Sequence, residues 1–190
     1  LDSVVAALED YPGSEIVVVD NGSSDGTAAF LQERHPLVRV LEHKENLGFG
    51  GGSNSGFEAA LCDVVVLLNN DMRVAKGFLG PLLEPFADPK VFGVSAQILF
   101  SDPNKRREET GVTAARWTQG RLALGHVVDD SIDGPFPIFY AGGGSTAYDR
   151  RKFLELGGFD ELLRPFYMED VDVSYLAWKR GWKVLYAGGS

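Results

Sequence analysis

The sequence predicts an α/β fold in which a mostly parallel sheet is flanked by helices. Three observations predict it. Short runs of β-branched residues alternate with helix-patterned segments through residues 1–99. The run Val65-Val66-Leu67-Leu68 is apolar throughout, as a buried parallel strand reads, and it closes abruptly on Asn69-Asn70-Asp71. A second run, Ile16-Val17-Val18-Val19, closes on Asp20 in the same way. The carboxyl ends of strands in open α/β sheets face the ligand crevice, so both aspartates are expected at one sheet edge.

The elements follow in order. An apparent helix covers Leu1 to Glu9, and Tyr11-Pro12-Gly13 turns the chain into a strand from Glu15 to Asp20. The loop Asn21-Gly22-Ser23-Ser24 leads to a helix from Thr27 to Glu33, which stops before Pro36 because the residue preceding proline avoids helical geometry. A strand from Val38 to Leu41, a glycine-rich loop and a helix near Ser55 to Leu61 come next. The strand Val64 to Leu68, a helix through Phe78 to Phe86 and an apolar run from Val91 to Leu99 complete the alternating half. Residues 101–137 lose the rhythm and read as a long loop or insert, with a hairpin around Val112 to Leu124. Loops of that length are often functional lids. Regular patterning resumes at Phe139-Tyr140-Ala141, followed by helices from Arg150 to Leu156 and from Asp170 to Arg180. Gly181 caps the second of these before a strand from Lys183 to Tyr186.

The bulk properties narrow the class. At 190 residues the chain fits one domain with a substantial core. A formal net charge of −9 argues against nonspecific nucleic-acid binding, which relies on basic surface. It leaves room for a phosphorylated ligand held by a metal and a few local cations. Arg106-Arg107 and Arg150-Arg151-Lys152 read by default as solvated faces. Cys62 stands alone among apolar residues and reads as a buried packer rather than a nucleophile. No signal peptide or membrane-spanning run is present. The chain opens inside a helix and stops just after a strand, so it reads as a piece of a longer protein.

Several segments carry candidate chemistry. Asp71, flanked by neutral oxygen donors, suits a hard cation that keeps its waters and grips a phosphate. The plain alternative is a strand running into an Asn-Asp turn. Asp20 can accept hydrogen bonds from a base N–H or a ribose hydroxyl, while Ser24 or Asp25 can cap the next helix. The stretch Asn46 to Gly56 offers backbone amides and a helix amino terminus to a diphosphate. As a dinucleotide fingerprint it is imperfect, since Ser53 stands at the third glycine position, and a flexible loop with a helix cap is the favoured reading of that motif alone. Gly142, Gly143 and Gly144 would let an acceptor or a sugar pass close to backbone. Gly157-Gly158-Phe159-Asp160-Glu161 reads as a C-cap turn. In Phe166-Tyr167-Met168-Glu169-Asp170-Val171-Asp172, acids at a helix start are stabilised by the macrodipole. The aromatic wall beside them also suits a general base that must take a hydroxyl proton near neutral pH.

In this order, Val17 to Thr27, Asn46 to Gly56, Leu68 to Asp71, Gly157 to Glu161 and Tyr167 to Asp172 resemble the family 2 inverting glycosyltransferases of the GT-A fold. The likeness is greatest to their rhamnosyltransferase-like branch and spans nearly the whole chain. It implies a nucleotide-binding half, residues 1–99, in which Asp20, Asn21, Gly50, Gly51, Asn54 and Asn70 surround the donor. It implies an acceptor and catalytic-base half, residues 100–190, with Gly142 to Gly144 along the sugar or acceptor. Asp71 would hold Mg²⁺ or Mn²⁺ as the last residue of a variant Asp-x-Asp motif. Asp170 would be the general base, and Glu169 would orient the acceptor. The implied donor is a dTDP- or UDP-sugar and the acceptor a saccharide or a lipid-linked sugar. The implied location is cytoplasmic or at the inner face of the membrane, through segments outside this sequence.

The sequence also departs from the family pattern. The family's first strand would precede Leu1, Asn69 replaces the more usual aspartate, and a histidine often found beyond the last strand would fall after Ser190. None of His35, His43 or His126 occupies that place. Two alternatives stand beside this reading: a non-catalytic nucleotide-sugar-binding module of a larger synthase and, more distantly, a dinucleotide oxidoreductase built on the Gly48 loop.

Overall fold

Helix α1 (Asp2–Ala7) precedes an alternation of β1 (Val17–Asp20), α2 (Thr27–Arg34), β2 (Arg39–Glu42), α3 (Gly48–Ala59) and β3 (Val64–Leu68). Helix α4 (Leu79–Leu83) runs into a 3-10 turn and then β4 (Val91–Ala96). The hairpin β5 (Thr113–Thr118) and β6 (Arg121–His126) follows, then β7 (Phe136–Pro137), β8 (Ser145–Asp149), α5 (Arg150–Glu155), α6 (Glu169–Lys179) and β9 (Lys183–Ala187). These elements come from a computed structural model that describes residues 1–190 except 103, 106–110, 130 and 166. The Arg106-Arg107 cluster and Phe166 lie outside the described residues.

The α/β class and the helix-flanked sheet hold, but the sheet is mixed rather than mostly parallel. Strands β1 and β2 pair in parallel as a two-stranded unit, separate from a five-stranded sheet of order β3-β8-β4-β9-β7. Strand β8 enters antiparallel between β3 and β4, and only β4 and β9 run parallel within that sheet. The reason lies in the connection. A βαβ crossover fixes a parallel partner, whereas the long segment between β4 and β8 returns the chain in the opposite direction. Strand β3 is consequently an edge of this sheet and only half-buried along its length, while β4 is buried throughout. Asp20 and Asp71 follow strands of two different sheets, β1 and β3.

A core lies on each face of the larger sheet. One gathers Phe57, Phe92, Tyr148, Phe153, Phe159 and Val173, and the other Leu79, Leu82, Val91, Val94 and Ala147. Phe57 stacks on Phe153 with ring centroids 3.8 Å apart, and Phe159 meets Phe153 edge-on at 4.9 Å. Each such pair adds about 0.5–1.5 kcal/mol beyond its buried area. This aromatic cluster ties α3 and the 157–161 segment to the sheet, and so fixes the walls around the candidate site.

The glycine-rich stretch beginning at Gly48 is not a loop but the body of α3. Its glycines are sites of close approach. A Cβ would come within 3.1 Å of Val19 at Gly56, 3.0 Å of Asn21 at Gly52 and 3.3 Å of Phe159 at Gly50. Glycine costs about 1 kcal/mol against alanine in a helix interior, and tight packing against β1 and Phe159 offsets that cost here. Lys152 likewise departs from the solvated-face reading. It is buried, and its Nζ donates to the Val91 carbonyl at 2.7 Å and to the Asp149 carboxylate at 2.5 Å. Asp149 caps α5, which leads Lys152 inward instead of toward water. Cys62 is half-buried beyond the end of α3. Phe139-Tyr140-Ala141 forms no strand, although Tyr140 and Ala141 are buried.

Candidate active site

Asp20, at the end of β1, is buried, and its Oδ1 accepts the Ser23 N–H at 2.8 Å. That bond shapes the turn into α2. The Asn21 carboxamide reaches across to α3: its oxygen accepts the Leu47 N–H at 2.8 Å and its nitrogen donates to the Gly48 carbonyl at 2.9 Å. Asn54 does the same at the other side of α3, accepting from Phe159 N–H at 2.8 Å and donating to Phe159 O at 2.9 Å. Both amides therefore hold backbone in place. The diphosphate reading of the Gly48 segment is narrowed as well. The Gly48 N–H donates to Asn46 at 2.8 Å and the Phe49 N–H to the Pro165 carbonyl, while Gly50 and Gly51 sit in the first turn of α3, with Gly51 buried.

The carboxyl end of β3, the Gly142–Gly144 loop and the start of α6 meet at one place. Asn69 N–H donates to the Gly144 carbonyl at 3.0 Å, and Met72 N–H closes a turn onto the Asn69 carbonyl at 3.2 Å. That turn carries Asn70 and Asp71 into solvent. One residue along the loop, Gly143 N–H donates to Asp170 Oδ2 at 3.2 Å. Glycine is needed here, since a Cβ on Gly143 would press on the Phe49 ring at 2.9 Å and one on Gly144 would crowd Asn69 at 3.2 Å. Thr146 anchors the loop by donating to the Gly142 carbonyl at 2.6 Å, and Ala141 N–H donates to Ser174 Oγ of α6 at 3.1 Å.

Burial raises the Asp170 pKa above the usual carboxylate range, while the Gly143 and Val171 N–H groups and the charge of His126 pull it back. Burial also raises Glu169, with the neighbouring Asp170 charge adding to the shift. Glu169 is buried, and its Oε2 has no hydrogen-bond partner among the described residues. Tyr148 beneath them is pushed well up, by burial first and by the Asp170 charge second.

His126 enters this neighbourhood from the hairpin, a role sequence reasoning did not assign. Its Nε2 lies 3.3 Å from Tyr140 Oη, and the two rings meet edge-on. Pairing of His126 with Thr113 sets it at the hairpin root, where Thr113 Oγ1 also holds the backbone of Tyr140. Only that register, not spacing in the sequence, brings it near Asp170.

Among the described residues no three His, Cys, Asp or Glu side chains gather as a metal cluster. Asp71 stands exposed as a single carboxylate in a turn with Asn69 and Asn70. That donor set fits a hard divalent ion that takes the rest of its shell from water and a diphosphate, and it does not fit a protein-enclosed ion.

Comparisons with known proteins bear on the family and the fold. A Drosophila melanogaster protein named "Putative inactive polypeptide N-acetylgalactosaminyltransferase 11" is 30% identical over 96% of this chain and 34% of its own length. The N-acetylglucosaminyl-diphospho-decaprenol L-rhamnosyltransferase of Mycobacterium tuberculosis is 27% identical over 90% of this chain and 63% of its own length. The chain thus spans less than two thirds of these relatives. In structure it resembles GalNAc-T7, solved with UDP, GalNAc and Mn²⁺, at a TM-score of 0.72 and 22% identity over 91% of this chain and 36% of that one. It also resembles a mannosyltransferase from Pyrobaculum calidifontis, solved with GDP-Man and Mn²⁺, at a TM-score of 0.67 and 21% identity over 98% of this chain and 49% of that one. The fold is the GT-A fold of these transferases. The model described as glycosyl transferase family 2 matches residues 1–157, and the chain belongs to that family.

Proposed function

We propose that this protein transfers a sugar from a nucleoside-diphosphate sugar to an acceptor hydroxyl with inversion at the anomeric carbon. The observation that carries the reading is the continuous link from Asn69 through Gly144 and Gly143 to Asp170, which joins the β3 end to a carboxylate with a raised pKa. In this reading the donor lies toward residues 1–99 and the acceptor toward 100–190. Asp170 takes the acceptor hydroxyl proton as its oxygen attacks the anomeric carbon. The bond from that carbon to the diphosphate oxygen breaks, and the nucleoside diphosphate leaves with the electron pair. Glu169 orients the acceptor beside it. Asp71 would hold Mg²⁺ or Mn²⁺ on the diphosphate, where the ion supplies neutralisation of charge on the leaving group.

Asp20 and Asn70 face the nucleotide, with Asn21, Asn54, Gly50 and Gly51 shaping its wall. UDP or dTDP is the carrier, and a saccharide or a lipid-linked sugar the acceptor, the latter in keeping with the named acceptor of the mycobacterial relative. The site would then work on the cytoplasmic side, at or near the membrane.

Asp170→Asn tests the reading. Removing a general base typically costs 10²–10⁴-fold, so transfer should fall by about that factor while UDP binding stays within about twofold. Near-parent transfer by Asp170→Asn would remove Asp170 from the role. The non-catalytic alternative gains if the parent protein itself neither transfers nor hydrolyses any nucleotide sugar it binds.

A further inference from the structure

The β5–β6 hairpin is not explained by the donor site. Among the described residues its strands pair only with each other, and the register sets Ala115 opposite Leu124, Trp117 opposite Leu122 and Thr113 opposite His126. Directly opposed residues point to the same face of a two-stranded ladder, and the faces alternate along each strand. One face therefore carries Trp117, Leu122, Leu124 and Ala115 from tip to root. It ends on Thr113 and His126, the pair that contacts Tyr140 beside the candidate base. The other face carries Arg116 and Arg121.

Trp117 is 74% exposed and Leu122 42%, so no described residue covers the tip half of this face, while Ala115 and Leu124 nearer the root are half-buried. Between Thr113 and His126 the hairpin holds two arginines and no acidic residue, in a chain of net charge −9. In sequence the nearest acids are Glu109 before it and Asp129 after it. No described helix is long and apolar enough to cross a membrane.

We propose that this hairpin docks the protein tip-first on an anionic lipid surface, with Trp117 and Leu122 on one face in the headgroup–acyl boundary and Arg116 and Arg121 on the other reaching the headgroups around the tip. Three properties favour a lipid surface over a protein partner or a soluble saccharide. An exposed indole beside an aliphatic side chain suits the interfacial layer, where one end of the ring is apolar and the other wet. Two arginines in an otherwise acidic chain select a negatively charged occupant. The same face runs from the tip to His126 at the root, so docking of the tip holds Asp170 within about a hairpin's length of the bilayer. The last consequence rests on the transferase reading and would present the base to a lipid-linked acceptor. The docking itself does not rest on it.

The test is equilibrium binding of the full-length protein to vesicles of phosphatidylcholine with and without phosphatidylglycerol, some carrying brominated acyl chains. Binding should require the anionic lipid and weaken as salt is raised. Brominated chains should quench a part of the tryptophan emission that is absent in Trp117→Phe, which separates the hairpin from any other membrane contact. Arg116→Gln and Arg121→Gln should each lower the partition coefficient roughly fivefold. All three substitutions lie on exposed positions of the hairpin and leave the core untouched. The proposal is overturned if bromolipid quenching is the same in Trp117→Phe as in the parent, or if neither arginine substitution changes partition. A Trp117-dependent emission change with soluble saccharides in place of vesicles would also overturn it. No arm of this experiment reads sugar transfer, so its failure and that of the transferase reading are separable.

Discussion

Asp170 and His126 lie far apart in sequence, yet their charges act on one another across the root of the hairpin. The sign of that coupling makes a prediction. As a base, Asp170 works only when deprotonated, so transfer falls as pH drops through its pKa. Burial sets that pKa above the usual carboxylate range, and the acidic limb of kcat/KM should lie above the roughly pH 3.9 of a free aspartate. A protonated His126 favours the carboxylate and holds the pKa down. His126→Gln should therefore move the acidic limb to higher pH, measured as kcat/KM across the acidic range. A limb that stays in place or moves lower would take His126 out of this role. The acidic helix start that carries Asp170 was legible in the sequence. His126 was not, because its position depends on the pairing of two strands in an insert without a clear period.

At the scale of elements, glycine misled the sequence reading in an instructive way. The Gly48 to Gly56 stretch has the composition of a loop, but its glycines answer to neighbours that only the fold supplies: Val19, Asn21 and Phe159. Propensity counts the cost of a helical glycine and has no access to the contact that offsets it. The strand ends at Asp20 and Asp71 were legible because an apolar run closed by polar residues is a local pattern. The antiparallel course of β8 was not, since direction is set by where a long connection returns. The same logic separates two neighbouring glycines. Gly157 and Gly158 both have positive φ, at 91° and 74°, but only at Gly158 would a Cβ strike the Asn54 side chain, at 2.5 Å. Gly157→Ala should cost about 1 kcal/mol from backbone strain alone. Gly158→Ala should add roughly 1–3 kcal/mol by displacing the Asn54 bonds to Phe159. Urea unfolding of the pair measures the difference, and equal losses would mean that Asn54 gives way without cost.

For the molecule as a whole, charge decides how a donor can bind. The chain carries a net charge of −9, and a nucleoside diphosphate is itself an anion. Long-range repulsion opposes their association unless a cation intervenes. The candidate metal residue, Asp71, is one exposed carboxylate with no cluster of further ligands among the described residues, so the protein alone gives a divalent ion little to hold. Ion and diphosphate should accordingly bind together, each completing the other's site. Thermal unfolding distinguishes this from independent binding. Mn²⁺ alone and UDP alone should each leave the midpoint almost unmoved. Both together, at about a hundredfold excess over their joint dissociation constant, should stabilise the fold by about 2.7 kcal/mol. For a chain of this size that corresponds to a rise of roughly 5–11 °C in Tm. Asp71→Ala should abolish the joint shift while sparing the midpoint of the free protein, because an exposed turn carboxylate contributes little to folding. If UDP alone gave the full shift, donor binding would not depend on the ion, and the role of Asp71 would fall with it.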